Sequence, residues 1–494
     1  DLVLPGERAP TPLGDYLKAN LPPRIYAPGQ VPAYSNYGVA LAGYIVQRVS
    51  GEAFDDYIDR HIFAPLGMTN ATFRQPLPAR LRAQLASPYR LASEPARPFE
   101  MFNIVPAGSA SISGADMGRF VIAHLQDGEF EGRRILQPAT ARLMHETRSP
   151  AGPPGLNHMR LGFDGLDRNG RRIIGHGGDT IWFHSHLQLF PDDHVGLFVS
   201  FNSVGNAGGS RAIRAGLLDA FTERYFPGPS VPGHVGLGLA KAHAAAMVGR
   251  YESAQWEPRT FLSLLNLFTQ ARVTTDGKGH ISASSSLGPD GRPKLYEEIA
   301  PFHWREVGGK EELSARVEGG KAVMWGTTDW PAEVHLPTPM GRDTAWLVPA
   351  MAASIAALLL TAVLWPVGVL VRRRYGARFE LRGARAWSHR LVRIAGAGAG
   401  LLMLCWLATV VHMLTTFSVA SSVTPWILAL HLLSIVIFPA AAAAALWDGW
   451  NLMAARRGLA AVPAWAWSAV LAASSLTLLW VALVFRLIGL GLAF

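Results

Sequence analysis

The 494 residues are 49% hydrophobic and only 16% charged. That excludes a disordered chain and departs from the roughly 25% charge of a soluble globular protein. Of the net charge of +9, the stretch 372–393 supplies +7 through eight Arg and Glu380, so the basic balance marks one segment and not a nucleic-acid-binding face. The single cysteine, Cys405, excludes a disulfide framework and a Cys-based zinc site.

Residues 1–226 mix helical patterns with short apolar strands. Tyr37, Ala40, Leu41, Tyr44, Ile45 and Val49 fall at helical spacing after Asn36, and Gly51 stops the pattern after Ser50. Further helices are expected over Phe54–Phe63, closed by Pro65 and Gly67, and over Ala115–His124. Strands are expected at Arg172–Gly175, His184–Phe190 and Val195–Phe201, with Asp192-Asp193 turning between the last two. The stretch 227–239, dense in Pro and Gly, reads as a linker. Residues 240–340 read as a small β-rich domain: Gln270–Thr275 and His280–Ser284 flank an Asp276-Gly277 turn, and Lys321–Thr327 is another strand.

Residues 344–494 read as membrane. Four nearly uncharged spans, about 344–371, 394–414, 426–447 and 463–485, each reach the ~20 apolar residues needed to cross a bilayer as helix. Trp346, Trp426, Trp447 and Trp465 stand near their ends, as interface anchors do. The positive-inside rule puts 372–393 and the 448–457 loop with Arg456 and Arg457 in the cytoplasm, and 415–425 on the other side. The expectation is an integral protein of a bacterial inner or cell membrane, with residues 1–343 outside the cytoplasm. A lipid bilayer is then one partner and nucleic acid is not one. His412 and His431 lie within spans, where a histidine is either functional or bonded between helices.

Two short motifs carry chemistry. In Tyr34-Ser35-Asn36, Tyr34 and Asn36 stand where both side chains can project from a helix start. A phenol whose pKa is lowered by nearby cations can move a proton, and an amide can orient a substrate carbonyl. The bland reading is a packed Tyr and a helix cap. In His176-Gly177-Gly178-Asp179 the glycines let backbone approach a ligand, and a backbone N–H there can serve an oxyanion; the bland reading is a Gly-rich turn. His184 and His186 on one strand face start a rival metal site, and Ser109, Ser111 and Ser113 are rival nucleophiles outside any G-x-S-x-G elbow. No metal and no cofactor is expected.

The run from Tyr34 to Phe73, the Pro-Ala-Gly segment Pro106–Phe120 and the stretch Arg172–Ser203 resemble the β-lactamase-related serine hydrolase family of class C β-lactamases, D,D-peptidases and esterases. The resemblance covers about residues 20–226. It implies an α+β β-lactamase/transpeptidase-like domain, here partial, followed by the small β-rich domain and an all-α transmembrane region of four helices. It implies an extracytoplasmic hydrolase that cleaves an amide, peptide or ester bond of a small-molecule or peptide substrate through an acyl-enzyme. Tyr34 would then shuttle the proton, Asn36 would bind the substrate carbonyl, and His176, Gly177 and Gly178 would form the third motif. The backbone N–H of Asp179 would be an oxyanion donor. His176 replaces the family's Lys, which weakens a β-lactamase assignment because no permanent cation awaits the antibiotic's carboxylate.

The family's Ser-x-x-Lys is missing. None of the six lysines (Lys18, Lys241, Lys278, Lys294, Lys310, Lys321) follows a serine by three. The motif normally precedes Tyr-x-Asn by several tens of residues, and only 33 precede Tyr34. The chain also lacks an initiator methionine, so the expectation is a fragment whose nucleophile lies upstream of residue 1 and which alone forms no acyl-enzyme. The alternative is an inactive β-lactamase-like domain that binds or signals at the membrane; a transporter subunit ranks last.

Overall fold

The computed structural model describes residues 3–4, 8–228, 233–255, 259–288, 290–379, 381–416, 424–455 and 462–489. Two compact units form: Asp1–Gln255 with Ala271–Pro337, and Trp256–Gln270 with Thr338–Phe494.

The first unit begins with helices α1 (Leu13–Ala19) and α2 (Asn36–Ser50). Helix α2 starts where the Ser35 hydroxyl accepts the Gly38 N–H at 3.0 Å and stops at Gly51, whose φ of 75° only glycine adopts freely. Helix α3 (Phe54–Ile58) runs into a π-helical turn over Asp59–Phe63, so the expected single helix is underwound at its end. Helix α4 (Gly114–Leu125) is capped by Ser113.

An antiparallel sheet follows, with β1 (Asp164–Gly165), β2 (Ile174–Asp179), β3 (His184–Phe190) and β4 (Val195–Phe201) side by side in the order β4-β3-β2-β1. Val121 of α4 packs with Phe163, Ile174, Leu187 and Leu189. The approach is close: a Cβ on Gly196 would lie 2.2 Å from the Val121 Cγ1, so the strand needs glycine there. Helix α5 (Gly209–Tyr225) closes this part.

The expected strand Arg172–Gly175 is corrected to Ile174–Asp179. Arg168 and Arg171 close a tight turn through Asn169 and Gly170, both at positive φ, and the Ile173 N–H goes to the Asp167 carboxylate at 3.0 Å. The strand therefore starts later and runs through Gly177 and Gly178, which pair with His186 and Ser185. A backbone ladder asks nothing of side chains, so a Gly-rich turn in the sequence becomes strand.

Helix α6 (Leu237–Met247) begins inside the interval read as a linker, of which residues 229–232 lie outside the described residues. It leads into strands β5 (Gly249–Ser253), β6 (Ala271–Thr275), β7 (Ile281–Leu287), β8 (Pro293–Ala300), β9 (His303–Glu306), β10 (Glu312–Glu318), β11 (Lys321–Thr327) and β12 (Val334–Pro337). These eight close into one barrel. Closure removes both sheet edges. Ala244 and Met247 of α6 pack with Tyr251, Trp304 and Trp325, so side chains fill the interior. The barrel docks on the preceding part through Arg168, which bonds Asp219 of α5 and, at 3.2 Å, Asp329 between β11 and β12.

The second unit holds helices α7 (Thr344–Arg374), α8 (Gly383–Thr416), α9 (Thr424–Ala455) and α10 (Val462–Val484), all long and apolar enough to cross a membrane. Asp343 caps α7 by accepting the Ala345 N–H at 2.8 Å. Helix α8 starts at Gly383, earlier than the expected 394, because the Ala, Arg and Leu of this basic stretch are good helix formers. Glu380, most of the 415–425 loop, and Arg456 and Arg457 lie outside the described residues. Phe261, from the segment between β5 and β6, packs against Trp406 and His431 at ring separations of 5.4 and 5.8 Å. The His431 Nδ1 lies 2.9 Å from the Leu487 carbonyl oxygen, which places this histidine as a bonded interior group between elements.

Candidate active site

Tyr34 stands one residue before the Ser35 cap, and Asn36 is the first residue of α2. Since Ser35 does the capping, the Asn36 amide is left over: among the described residues it makes no hydrogen bond, and it stays half-buried. Tyr34 is 38% exposed, a large aromatic ring held at the surface.

The structure brings the two motifs together. The rings of Tyr34 and His176 are 6.2 Å apart and tilted by 46°. His176, Gly177, Gly178 and Asp179 are successive residues of β2, facing Leu187, His186, Ser185 and His184 of β3. The Thr180 N–H donates to the Phe183 carbonyl at 2.9 Å just beyond the last pair. Hydrogen-bonded and non-bonded pairs alternate along an antiparallel ladder. Asp179 and His184 are therefore a non-bonded pair, and the Asp179 N–H is directed away from β3. The paired register of β1 reaches Gly175. A Cβ on Gly178 would meet nothing within 4 Å, and one on Gly177 would come 3.5 Å from His186 Nδ1, so the strand surface here is open.

A residue without any motif joins them. Asp164 of β1 pairs with Gly175, next to His176. Burial pushes its carboxyl above the usual carboxylate range, with the nearby His176 opposing. No cation lowers the Tyr34 phenol here: burial, then the negative charge of Asp164, push it above its ordinary value. Tyr34 is thus a protonated phenol at neutral pH.

The Asp179 side chain looks elsewhere. Arg214 of α5 grips both its oxygens at 3.0 and 3.1 Å, and His184 Nδ1 lies 2.7 Å from Oδ1. Burial pushes this carboxyl up, but His184, Arg214 and Arg211 outweigh it and hold it well below the usual range. This clamp fixes the strand end. Glu100, 5% exposed, fixes the turn: its carboxylate accepts from the Thr180 hydroxyl at 2.5 Å and from the Ile181 and Trp182 N–H groups at 2.8 and 3.1 Å. Sequence reasoning missed Asp164, Glu100 and Arg214. None stands in a recognisable motif, and only the folded chain gathers them.

His184 is spent on Asp179. His186, beside it on the strand face, is lowered to about 4 by burial, then by Arg214 and His176. Among the described residues no group of three or more His, Cys, Asp or Glu is arranged to hold a metal. Ser109 is 2% exposed and donates to the carbonyls of Phe73 and Val105, and Ser113 caps α4, so these two hydroxyls are structural.

The Beta-lactamase family model matches residues 12–220, a stretch that contains both motifs and the β1–β4 sheet. Over these residues the chain is similar to the β-lactamase family, in agreement with the resemblance read from its motifs. Penicillin-binding protein 4 of Amycolatopsis lactamdurans is 30% identical over 182 residues, covering 34% of this chain and 46% of that protein. The chain thus spans less than half the length of this curated relative. Among solved structures, a class C β-lactamase of Rhodobacter sphaeroides is 19% identical with a TM-score of 0.34, covering 42% of this chain and 65% of that one. SurE, solved with D-Leu, is 18% identical with a TM-score of 0.42, covering 68% and 75%.

Proposed function

We propose that this chain is the membrane-anchored part of an extracytoplasmic serine hydrolase that cleaves an amide, peptide or ester bond through an acyl-enzyme. The observation that carries the reading is the approach of Tyr34 to His176, two family motifs from different elements meeting beside an open strand edge. The four apolar helices support anchoring.

The family's acylated serine and its lysine are not among residues 1–494, because no lysine follows a serine by three. The reading assigns this chain the carbonyl-binding and proton-donating side of the site. The Asp179 N–H points off the strand edge toward an oxyanion. The Asn36 amide is free to bind the substrate carbonyl or amide. When the tetrahedral intermediate collapses, the C–N or C–O bond breaks and the leaving group needs a proton. Tyr34, kept protonated by burial and Asp164, supplies it. Water then hydrolyses the ester and restores the proton.

The missing Ser-x-x-Lys favours a second reading, a domain that binds such substrates without turnover. Labelling of the protein in its native membrane with a serine-acylating fluorophosphonate, followed by intact-mass and peptide analysis, separates the two. One adduct, on a serine whose labelling slows in Tyr34→Phe, supports the hydrolase. No adduct, with substrate still retained, supports the binding domain.

A further inference from the structure

The basic end of the helical unit contains a cavity of about 170 Å³. It lies among the start of α8, the end of α9 and the start of α10, and the hydrolase site does not use it. Arg385, His389 and Arg393 line it from α8, and Asp448 and Asn451 from α9.

The polar groups are unevenly matched. Asp448 accepts the Ser388 hydroxyl at 2.9 Å. Arg393 Nη1 donates to His389 Nδ1 at 2.8 Å and to the His389 carbonyl at 2.7 Å. A guanidinium has no acceptor, so that ring nitrogen accepts, and a neutral His389 carries its proton on Nε2 as a further donor. Arg385 has no ion pair or side-chain hydrogen bond among the described residues. The Asn451 Nδ2 is buried without a partner, and so is the Ser468 Oγ, on a residue only 6% exposed that lines the cavity from α10. Two guanidinium groups against one carboxylate leave a positive excess, and the unspent groups are mostly donors. A buried donor without an acceptor is costly, so the arrangement asks for an anion rich in oxygens. Leu381, Leu452 and Leu471 form an apolar wall, with Trp467 beside them. The occupant is therefore charged at one end and apolar at the other.

We infer that this cavity binds the phosphate group of an anionic phospholipid, with Arg385, Asn451 and Ser468 holding the phosphate oxygens. Lipid phosphate and free phosphate share that chemistry; the apolar wall, within a bundle long enough to span a bilayer, favours the lipid. The inference is independent of the hydrolase reading.

The test uses the full chain in detergent, with native mass spectrometry to count retained lipid and thermal unfolding as a second readout. Dioleoylphosphatidylglycerol, dioleoylphosphatidylcholine and inorganic phosphate are added separately. The expected result is retention of phosphatidylglycerol about tenfold above phosphatidylcholine, and loss of that preference in Arg385→Gln, as for one charge-assisted hydrogen bond. Arg372→Gln, outside the cavity, should keep the preference. Asn451→Leu checks the site through a second group, and an unchanged far-ultraviolet spectrum confirms that each variant folds. Equal retention of the two lipids overturns the proposal. So does equal loss in Arg372→Gln and Arg385→Gln, which would mean diffuse surface charge. Protection by inorganic phosphate with no lipid retained would make the site one for a soluble anion and overturn the lipid assignment.

Discussion

The Tyr34 and His176 rings face each other at 6.2 Å, one from the turn before α2 and the other from β2. The phenol has a ring neighbour but no hydrogen bond that fixes it among the described residues, so Tyr34→Phe removes an O–H and little packing. The expected outcome is a loss of turnover of at least about 100-fold, the scale of general acid–base catalysis. The thermal midpoint should move by no more than ~1 kcal/mol of stability. Steady-state kinetics on protein from its native membrane, paired with a melting curve, checks both. Unchanged turnover would remove Tyr34 from the mechanism.

Asp164 acts on Tyr34 through charge. Its negative field raises the phenol pKa, second only to burial. In Asp164→Asn that field is gone, so the phenol should ionise at lower pH than in the parent. Absorbance titration of the tyrosinate band, differenced against Tyr34→Phe, reads this directly. The basic limb of the kcat profile should shift to lower pH in the same direction. A Tyr34 titration that moves to higher pH would contradict the assignment.

Glu100 is a positioning residue for the β2–β3 turn. Its two oxygens take three donors. Glu100→Gln keeps one acceptor oxygen and brings an NH2 group against backbone N–H donors. The expected cost is about 1–3 kcal/mol from buried donors left unmatched. If the turn also holds the Asp179 N–H in place, kcat should fall while KM stays near its parent value. A purely structural residue would lower the melting point and leave kcat of the folded fraction intact.

What could be read from the sequence divides along physical lines. The helix Asn36–Ser50 was legible because its apolar spacing and Gly51 both report local backbone preference. Strands His184–Phe190 and Val195–Phe201 were legible from their apolar runs. The Gly177-Gly178 stretch was not, because its strand is imposed by pairing with β3 and glycine carries no strand preference of its own. Tyr34, Asn36 and His176 could be singled out by motif. The direction of the Tyr34 shift could not, since it depends on Asp164, a carboxylate brought in from a separate strand. The grouping of Trp256–Gln270 with the helices had a signal that went unused: Phe261, Leu262, Leu264, Leu265 and Leu267 form an apolar run too dense for a barrel loop.

His124 sets part of the acid limb of stability. Its Nδ1 lies 3.0 Å from His145 Nε2, and burial, then the charge of His145, lower its pKa to about 4. Unfolded, it protonates near 6.5. Below that pH the unfolded chain binds a proton that the folded chain refuses, so stability falls as pH drops from about 6.5 to about 4 and then levels off. One such proton gives a slope of about 1.4 kcal/mol per pH unit. His124→Asn keeps an amide partner for His145 and should flatten the limb by about that slope. Calorimetry of the full chain in detergent across this range checks it; an unchanged slope would assign the limb to other groups.

Phe261 tests the grouping of its segment with the helices. It is 1% exposed, tilted against Trp406 and edge-on to His431. Trp406 is itself fully buried and donates its Nε1–H to the Ser434 hydroxyl at 2.9 Å, so the aromatic cluster cannot easily collapse into a gap. Phe261→Ala should therefore leave a cavity and cost about 3–5 kcal/mol. Phe261→Leu keeps most of the volume and should cost less than half of that. Unfolding of the full chain followed by Trp fluorescence gives the two values. A second readout is proteolysis within 256–270, which should accelerate in the Ala variant as the segment loses its seat. If both variants melt with the parent and the segment stays protected, Phe261 does not anchor it.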